Sequence, residues 1–246
     1  MEAPRTNLLK FLQEPKQLLL SNSEDSYNWR EEQCQKLWDN IVRIAQDDSI
    51  PEYFLGSIMI LEKGLFCTYE IPKLVLIDGQ QRLVTVSLLL AALGRVADNG
   101  NNGSGEITRK KMYDNYFTNN ILNKDEDSEA LYYKLVLSSN DNRAYVRIIE
   151  GNEHLPMAIQ HPLLTAYRFF ENKIKESGIS PGVLYKGIGK LTVVDISTDR
   201  YYENPQYIFD NLTATGLTEH QSKLISKWLS CLLAVSCIPL ETAARR

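Results

Sequence analysis

The chain has 246 residues, of which 43% are hydrophobic and 24% charged, a composition typical of a globular protein with a substantial core. Its formal net charge of −4 argues against a broad basic surface for non-specific nucleic-acid binding, although a local basic pocket is compatible with it. The four cysteines lack zinc-ligand spacing and support no disulfide framework. With no leader and no apolar run near the ~20 residues that span a bilayer, we expect a cytoplasmic protein that makes no membrane contact.

The first part of the chain alternates helical and strand patterns. Residues 7–20 predict a short helix that leads into an apolar strand, Gln17 to Leu20. Apolar residues at i, i+3, i+4 and i+7 predict an amphipathic helix from about Glu31 to Gln46. Further strands are predicted over Tyr53 to Glu62, Phe66 to Tyr69 and Lys73 to Ile77, and a further helix over Gly79 to Val96.

A cluster of glycine and asparagine after residue 98 is the clearest linker in the chain. It divides a mixed α/β part, residues 1–98, from a mainly helical part, residues 107–246, with the linker at 99–106. In the second part, β-branched residues predict a strand over Leu191 to Ile196 that returns to the core of the first part. The second part also contains a possible strand from Tyr132 to Leu137 and helical patterns over Asp141 to Ile149, Pro162 to Ser177, Gln206 to Leu212 and Glu219 to Leu233.

One junction in the first part concentrates polar residues between apolar elements. The buried strand pattern Leu74 to Ile77 is followed by Asp78-Gly79-Gln80-Gln81-Arg82 and then by a long apolar helix. Asp78 stands at the N-cap position and Gln81 three residues later, which predicts a capping box with Asp in place of Ser or Thr. Gly79 permits a tight turn and the close approach of a ligand.

The beginning of that helix has the features of a phosphate site. Its first N–H groups lack internal partners and lie at the positive end of the helix, so an anion there gains hydrogen bonds and dipole energy together. Arg82 adds a planar fork for two phosphate oxygens, and Gln80 can reach a phosphate, a sugar or a metal-bound water. The alternative is an ordinary turn and cap in which Arg82 pairs with a nearby carboxylate.

Four groups of residues, taken in chain order, form a wider pattern. They are Tyr27-x-Trp29 with Gln33-x-x-x-Leu37-Trp38-Asp39-x-Ile41, then Tyr53 to Ile58, then Ile77 to Leu83, and finally Ile208-Phe209-Asp210-x-Leu212-x-x-Thr215-Gly216 with Leu224-Ile225. This pattern resembles the N-terminal domain of GmrSD-type modification-dependent restriction endonucleases. The resemblance covers nearly the whole chain, and the segment D-G-Q-Q-R is its most specific part.

The resemblance implies an α+β fold, with a ParB/sulfiredoxin-like mixed α/β core and a mainly helical second half. Family members bind and hydrolyse nucleoside triphosphates with a divalent metal, and they couple hydrolysis to cutting DNA with modified bases or a modified backbone. The resemblance therefore implies an NTP, either GTP or ATP, and Mg²⁺ as cofactors. It also implies modified DNA, and a partner nuclease or a second chain, as partners.

The same resemblance assigns roles to individual residues. Asp78 and Gln80 would orient water or metal and Arg82 would hold phosphate, which makes these three the catalytic candidates. Asp78 is also a candidate metal ligand, and Glu24, which the family pattern does not contain, is a second one because a metal could bridge its carboxylate and phosphate. The nucleotide would be contacted by Tyr27, Gly79, Gln81, Arg82, Thr215 and Gly216.

The sequence departs from the family pattern in three respects. Ser23, Glu24 and Asp25 stand where the family has Tyr-Gln-Arg, and two like charges ~4 Å apart cost about 1 kcal/mol even in water, so direct triphosphate binding is expected to be weaker. Thr213 and Lys223 replace the usual Asn and Asp. An HNH nuclease module is not expected, because its base and metal sites need clustered histidines. The three histidines here, His154, His161 and His220, are widely spaced.

Two functions remain open from the sequence. The first is an NTP-binding module of a modification-dependent restriction and phage-defence system, with hydrolysis retained or weakened. The alternative is a non-catalytic remnant or regulatory subunit that binds DNA or a partner nuclease without hydrolysis. Nuclease activity in the D-G-Q-Q-R crevice itself is a weaker third hypothesis.

Overall fold

The computed structural model describes residues 4–20, 26–62, 71–100, 107–120, 129–152 and 161–198. Within these ranges the chain forms a mixed sheet flanked by helices, so the predicted α+β class is confirmed, while the ParB-like assignment stays a prediction. The elements are β1 Arg5–Asn7, α1 Leu8–Gln13, β2 Gln17–Leu20, α2 Glu31–Gln46, β3 Tyr53–Glu62, β4 Lys73–Asp78, α3 Gln80–Asn99, α4 Arg109–Met112, a π-helical turn Tyr113–Phe117, α5 Glu129–Tyr132, β5 Leu135–Val136, α6 Ser139–Glu150, α7 Pro162–Ser177, α8 Pro181–Ile188 and β6 Leu191–Thr198.

The sheet has the strand order β1-β6-β3-β4-β2-β5. Strand β6 runs parallel to β3 and antiparallel to β1, while β4 runs antiparallel to β3 and parallel to β2. The short strand β5 pairs in parallel with β2 at the other side. Strands from the second half of the chain therefore lie in the same sheet as those of the first half. The division at residues 99–106 stays a prediction.

Helix α3 is the central element of the core. Its apolar residues are distributed around the whole helix, and fourteen of its residues, including the polar Gln80, Thr85 and Ser87, are buried. Such a helix must be covered on all sides, and α7 packs along it. Helix α8 packs closely on α2 at Gly187, where a Cβ would lie only 2.6 Å from the Cβ of Ala45. The centre of the fold thus holds α3 and its N-terminus in a fixed position.

The helices α2 and α7 and the strand β3 have the bounds that the sequence predicts. The helix predicted from Gly79 begins at Gln80 and runs on to Asn99, and the possible strand at 132–137 is only the two-residue β5 preceded by α5. Strand β1 and helix α8 were not predicted, because β1 has three polar residues and α8 contains two glycines. The strand predicted at 66–69 and the helices predicted from Gln206 and Glu219 lie outside the described residues.

None of the helices in the described ranges combines the length and the apolar character that crossing a membrane requires.

Candidate functional site at the junction of β4 and α3

Gly79 connects the end of β4 to the beginning of α3 and has a left-handed backbone, with φ +93°. A Cβ at this position would lie 3.2 Å from the carbonyl oxygen of Ser57 and 3.3 Å from the side chain of Ile58, both in β3. The position therefore needs glycine for its conformation and for the close approach of the neighbouring strand. This turn places the N-terminus of α3 directly after the C-terminal end of β4, an interior strand of the sheet.

The predicted capping box at this helix is wrong. Gly79 is the N-cap residue, and no described side chain accepts a hydrogen bond from the backbone N–H groups of the first turn of α3. Asp78 still belongs to β4, because it pairs with Met59 of β3, and a residue held in the strand does not take the N-cap position. The first amides of α3 consequently have no side-chain cap among the described residues.

Arg82, in the first turn of α3, folds back onto the two strands below it. Its Nη2 donates to the carbonyl oxygen of Ser57 at 2.7 Å and to Oδ2 of Asp78 at 3.2 Å. The side chains of Arg82 and Asp78 remain 28% and 24% exposed. The ion pair that the sequence left open as the alternative is therefore present, and it leaves part of the Arg82 side chain exposed.

The guanidinium of Arg82 occupies space that Gly56 leaves free. Gly56 has φ +135°, and the register between β3 and β6 shifts next to it. A Cβ at Gly56 would lie 2.9 Å from Cζ of Arg82. A side chain there would thus displace the guanidinium, which makes Gly56 part of the site. Sequence reasoning did not single it out, although an isolated glycine within a strand pattern indicates a bulge or a close approach.

The two glutamines of the junction point in different directions. Gln80 is buried, at 7% exposure, and its Nε2 donates to the carbonyl oxygens of Leu76 and Ile77 at 3.2 and 2.7 Å. Gln81 instead accepts from the backbone N–H of Asn28 at 3.1 Å and donates to the carbonyl oxygen of Ser26 at 3.2 Å. Gln80 therefore fastens α3 to β4, while Gln81 holds the extended segment that precedes α2.

Tyr27 lies in that segment and is almost completely buried, at 4% exposure. Its hydroxyl is 2.9 Å from Oγ1 of Thr85 and 3.7 Å from Sγ of Cys34. Because the Thr85 hydroxyl donates to the carbonyl oxygen of Gln81, the phenol donates to Thr85 and accepts from the thiol. Burial raises the pKa of Tyr27 and also raises the pKa of the Cys34 thiol. The phenol of Tyr27 and the thiol of Cys34 are therefore both protonated and uncharged at pH 7.

The structure brings Asp78, Gly79 and Arg82 together at one point. Tyr27 and Gln81 both contact Thr85, one turn further along α3, and the side chain of Gln81 also binds the backbone of Ser26. Gln80 does not join either group, because its amide is buried against β4. The other candidates, Glu24, Thr215 and Gly216, lie outside the described residues, as do Ser23, Asp25, Thr213 and Lys223. Contacts that sequence reasoning did not single out come from Cys34, Gly56, Ser57, Thr85 and Asp141.

The part of the chain that the structure describes contains no group of three or more His, Cys, Asp or Glu side chains arranged to hold a metal ion. His161 is the N-cap of α7, and its Nδ1 accepts from the N–H of Leu163 at 3.3 Å. Its Nε2 lies 3.6 Å from Oδ1 of Asp141, whose other oxygen accepts from the N–H of Tyr27. Asp141 and His161 thus join α6 and α7 to the segment around Tyr27.

The fold and the junction define an α+β protein built around a central helix whose glycine-initiated N-terminus lies beside an arginine. The family model described as the N-terminal domain of the GmrSD restriction endonuclease matches residues 25–230. The match spans most of the chain, so the protein belongs to this family, and the resemblance seen in the sequence is confirmed. Membership makes it a component of a restriction and phage-defence system. Among curated proteins, no match to the chain was found.

Proposed function

We propose that this protein is the nucleotide-binding module of a modification-dependent DNA restriction system and that it binds GTP or ATP with Mg²⁺. The observation that carries the proposal is the N-terminus of α3, which no described side chain caps, beside the partly exposed side chain of Arg82. Helix N-termini of this kind bind phosphates through backbone N–H groups and the helix dipole. Family membership supplies the restriction context, and modified DNA and a partner nuclease are the partners that follow from the proposal.

The described residues fit a phosphate better than they fit a metal bound by protein alone. Arg82 uses Nη2 for Ser57 and Asp78, and the rest of its fork is the natural partner of phosphate oxygens. Mg²⁺ is usually held by one or two carboxylates together with waters and substrate phosphates. Asp78 is suited to be one such ligand, since its carboxylate is partly exposed beside the helix start. Glu24 as a second ligand stays a prediction.

A second candidate function is nucleotide or DNA binding without hydrolysis, and one observation favours it. The amide of Gln80 is buried and donates to two carbonyl oxygens of β4. In this position it is not presented to a substrate, so its expected role in orienting a water molecule has no support from the geometry. Binding and hydrolysis are therefore best measured separately.

The central test is the binding of a fluorescently labelled GTP or ATP analogue in the presence of Mg²⁺. Arg82→Ala is expected to weaken binding about 10- to 100-fold, because a charge-assisted hydrogen bond contributes roughly 1.5–3 kcal/mol. Arg43→Ala, at an exposed position of α2, is the matched control and should bind like the parent. Thermal unfolding of each variant verifies that the fold is retained. Equal affinities of the parent and Arg82→Ala would refute the phosphate site.

A second prediction concerns Asp78, which contacts Arg82 and is the proposed Mg²⁺ ligand. Asp78→Asn keeps the shape of the side chain but removes its charge. Without Mg²⁺, the variant is expected to bind the nucleotide more tightly than the parent, because the carboxylate no longer competes for Arg82 or repels phosphate. With Mg²⁺, it is expected to bind more weakly. Titrations of parent and variant with and without the metal check both signs, and unchanged affinity in both buffers contradicts the assignment.

Hydrolysis is tested by phosphate release with and without base-modified DNA. If the second candidate function is correct, the parent binds the nucleotide but releases no phosphate. The double variant Glu24→Gln/Asp25→Arg restores the amide and guanidinium of the family pattern and is then expected to raise turnover. Release by the parent that depends on modified DNA would instead support an active NTPase.

A further inference from the structure

A cavity of about 270 Å³ lies between the beginning of α2 and the first turns of α7. The five residues from Asp78 to Arg82 do not line it. Two aromatic side chains, Trp29 and Phe169, form part of its wall together with the buried Cys34 and Ala166. Ligand sites usually range from ~300 to 1,000 Å³, so this cavity suits one small ring system rather than a whole nucleotide.

The groups around the cavity combine a surface for stacking with charged ends. The ring of Phe169 packs edge-on against Phe170, with centroids 5.2 Å apart, and Nζ of Lys173 lies 5.5 Å from the Phe169 centroid. Arg30 and Glu31 also line the cavity, and both are exposed. Aromatic rings stack on bases, cations contact the adjoining phosphates, and a carboxylate accepts a hydrogen bond from an exocyclic amino group.

One short segment connects this cavity with the first turn of α3. Gln81 binds the backbone of Ser26 and Asn28, and the side chain of Tyr27 between them is buried against Thr85. The next residue, Trp29, lines the cavity. A ligand in the cavity that displaces Trp29 therefore also displaces Asn28, whose backbone N–H is bound by Gln81 of the D-G-Q-Q-R segment.

We propose that the cavity between α2 and α7 accepts a single unpaired base of DNA that carries an exocyclic amino group. The proposal rests on the proposed function, since it assigns the DNA-sensing site of the same module. A paired base does not reach a cavity of this size, so the base must leave the duplex, which costs least where pairing is already disturbed. The extended segment from Ser26 to Trp29 then connects base sensing with the helix start.

The proposal is tested with a labelled DNA duplex that contains one unpaired cytosine and with the same duplex fully paired. The parent is expected to prefer the unpaired duplex by about 10-fold, in line with stacking of one base on an aromatic side chain. Thr165→Phe fills the cavity from an exposed position on α7 and is expected to abolish this preference. Asn172→Phe, exposed on the same helix but not lining the cavity, is the matched control and should retain it.

The outcomes separate this inference from the proposed function. Nucleotide binding, measured in the same variants, should be unchanged by Thr165→Phe. Equal affinity of the parent for both duplexes, or a preference that persists in Thr165→Phe, overturns the base site even if nucleotide binding is found. If Thr165→Phe instead loses binding of the free nucleotide, the cavity holds that nucleotide's base and the DNA assignment is wrong. Should Thr165→Phe not fold, Trp29→Leu provides a second variant, and it is expected to lose the preference as well.

Discussion

The position of Arg82 depends on a neighbouring residue that has no side chain. Gly56 has φ +135°, and the guanidinium of Arg82 lies where its Cβ would be. Gly56→Ala is expected to lower the free energy of unfolding by about 1–3 kcal/mol, because it strains the backbone and displaces the guanidinium. It is also expected to weaken nucleotide binding if the phosphate site is correct. Urea denaturation and nucleotide titration measure the two effects.

Gly182 provides the control for this substitution. It lies in helix α8, and nothing surrounds the position of a Cβ within 4 Å. Gly182→Ala is expected to be neutral or to stabilise the protein by up to roughly 1 kcal/mol, the difference in helix propensity between the two residues. If Gly56→Ala destabilises no more than Gly182→Ala, the close packing of Arg82 on β3 has no energetic importance.

Helix α3 and the segment before α2 are joined by a small hydrogen-bond network rather than by apolar contact alone. Tyr27→Phe removes the phenol that donates to Thr85, and it is expected to cost about 1 kcal/mol of unfolding free energy. Thr85→Val removes the acceptor and also the bond to the carbonyl oxygen of Gln81. The double variant is expected to be less destabilised than the sum of the two single changes. Strict additivity, within about 0.5 kcal/mol, would mean that the two side chains do not interact.

The elements show which parts of this structure can be predicted from local sequence. The bounds of α2 follow from the regular spacing of residues such as Leu37 and Ile41, which depends only on the helical period. The first residue of α3 cannot be predicted from local sequence in the same way. Asp78 has the residue type of an N-cap, but its pairing with Met59 of β3 keeps Asp78 in strand β4. Similarly, nothing in the sequence distinguishes Gln80 from Gln81. Only the packing of α3 on β4 determines that one is buried and the other binds the segment at Ser26.

Across the whole molecule, several tyrosines lie in low-polarity surroundings. Burial is the main reason why the pKa is raised for Tyr27, Tyr113, Tyr116 and Tyr133. These phenols stay protonated in the folded protein at a pH at which they ionise in the unfolded chain, so the folded state binds more protons. The unfolding free energy is therefore expected to fall as the pH rises above about 10.

The measurement is urea denaturation at several pH values from about 7 to 11. Tyr27→Phe should show a shallower fall than the parent, since one raised pKa is removed. Lys134 changes the unfolding free energy in the opposite direction, because burial lowers the pKa of its ammonium to about 8. The unfolded chain binds this proton up to a higher pH, so the parent gains stability from Lys134 as the pH rises from about 8 to 10. Lys134→Met therefore separates the two contributions. A parent curve without a decline above pH 10 contradicts the tyrosine prediction.

The placement of β6 between β1 and β3 has a consequence for experiments on fragments. Expressed alone, residues 1–98 would contain β1 and β3 with nothing between them, and residues 107–246 would contain β6 without either neighbour. Each piece therefore exposes backbone N–H and C=O groups that pair with strands of the other piece in the whole protein. A chain cut within the glycine- and asparagine-rich stretch at 101–106 should therefore behave as a split protein, whose halves are insoluble apart and regain their shared sheet when they are produced together.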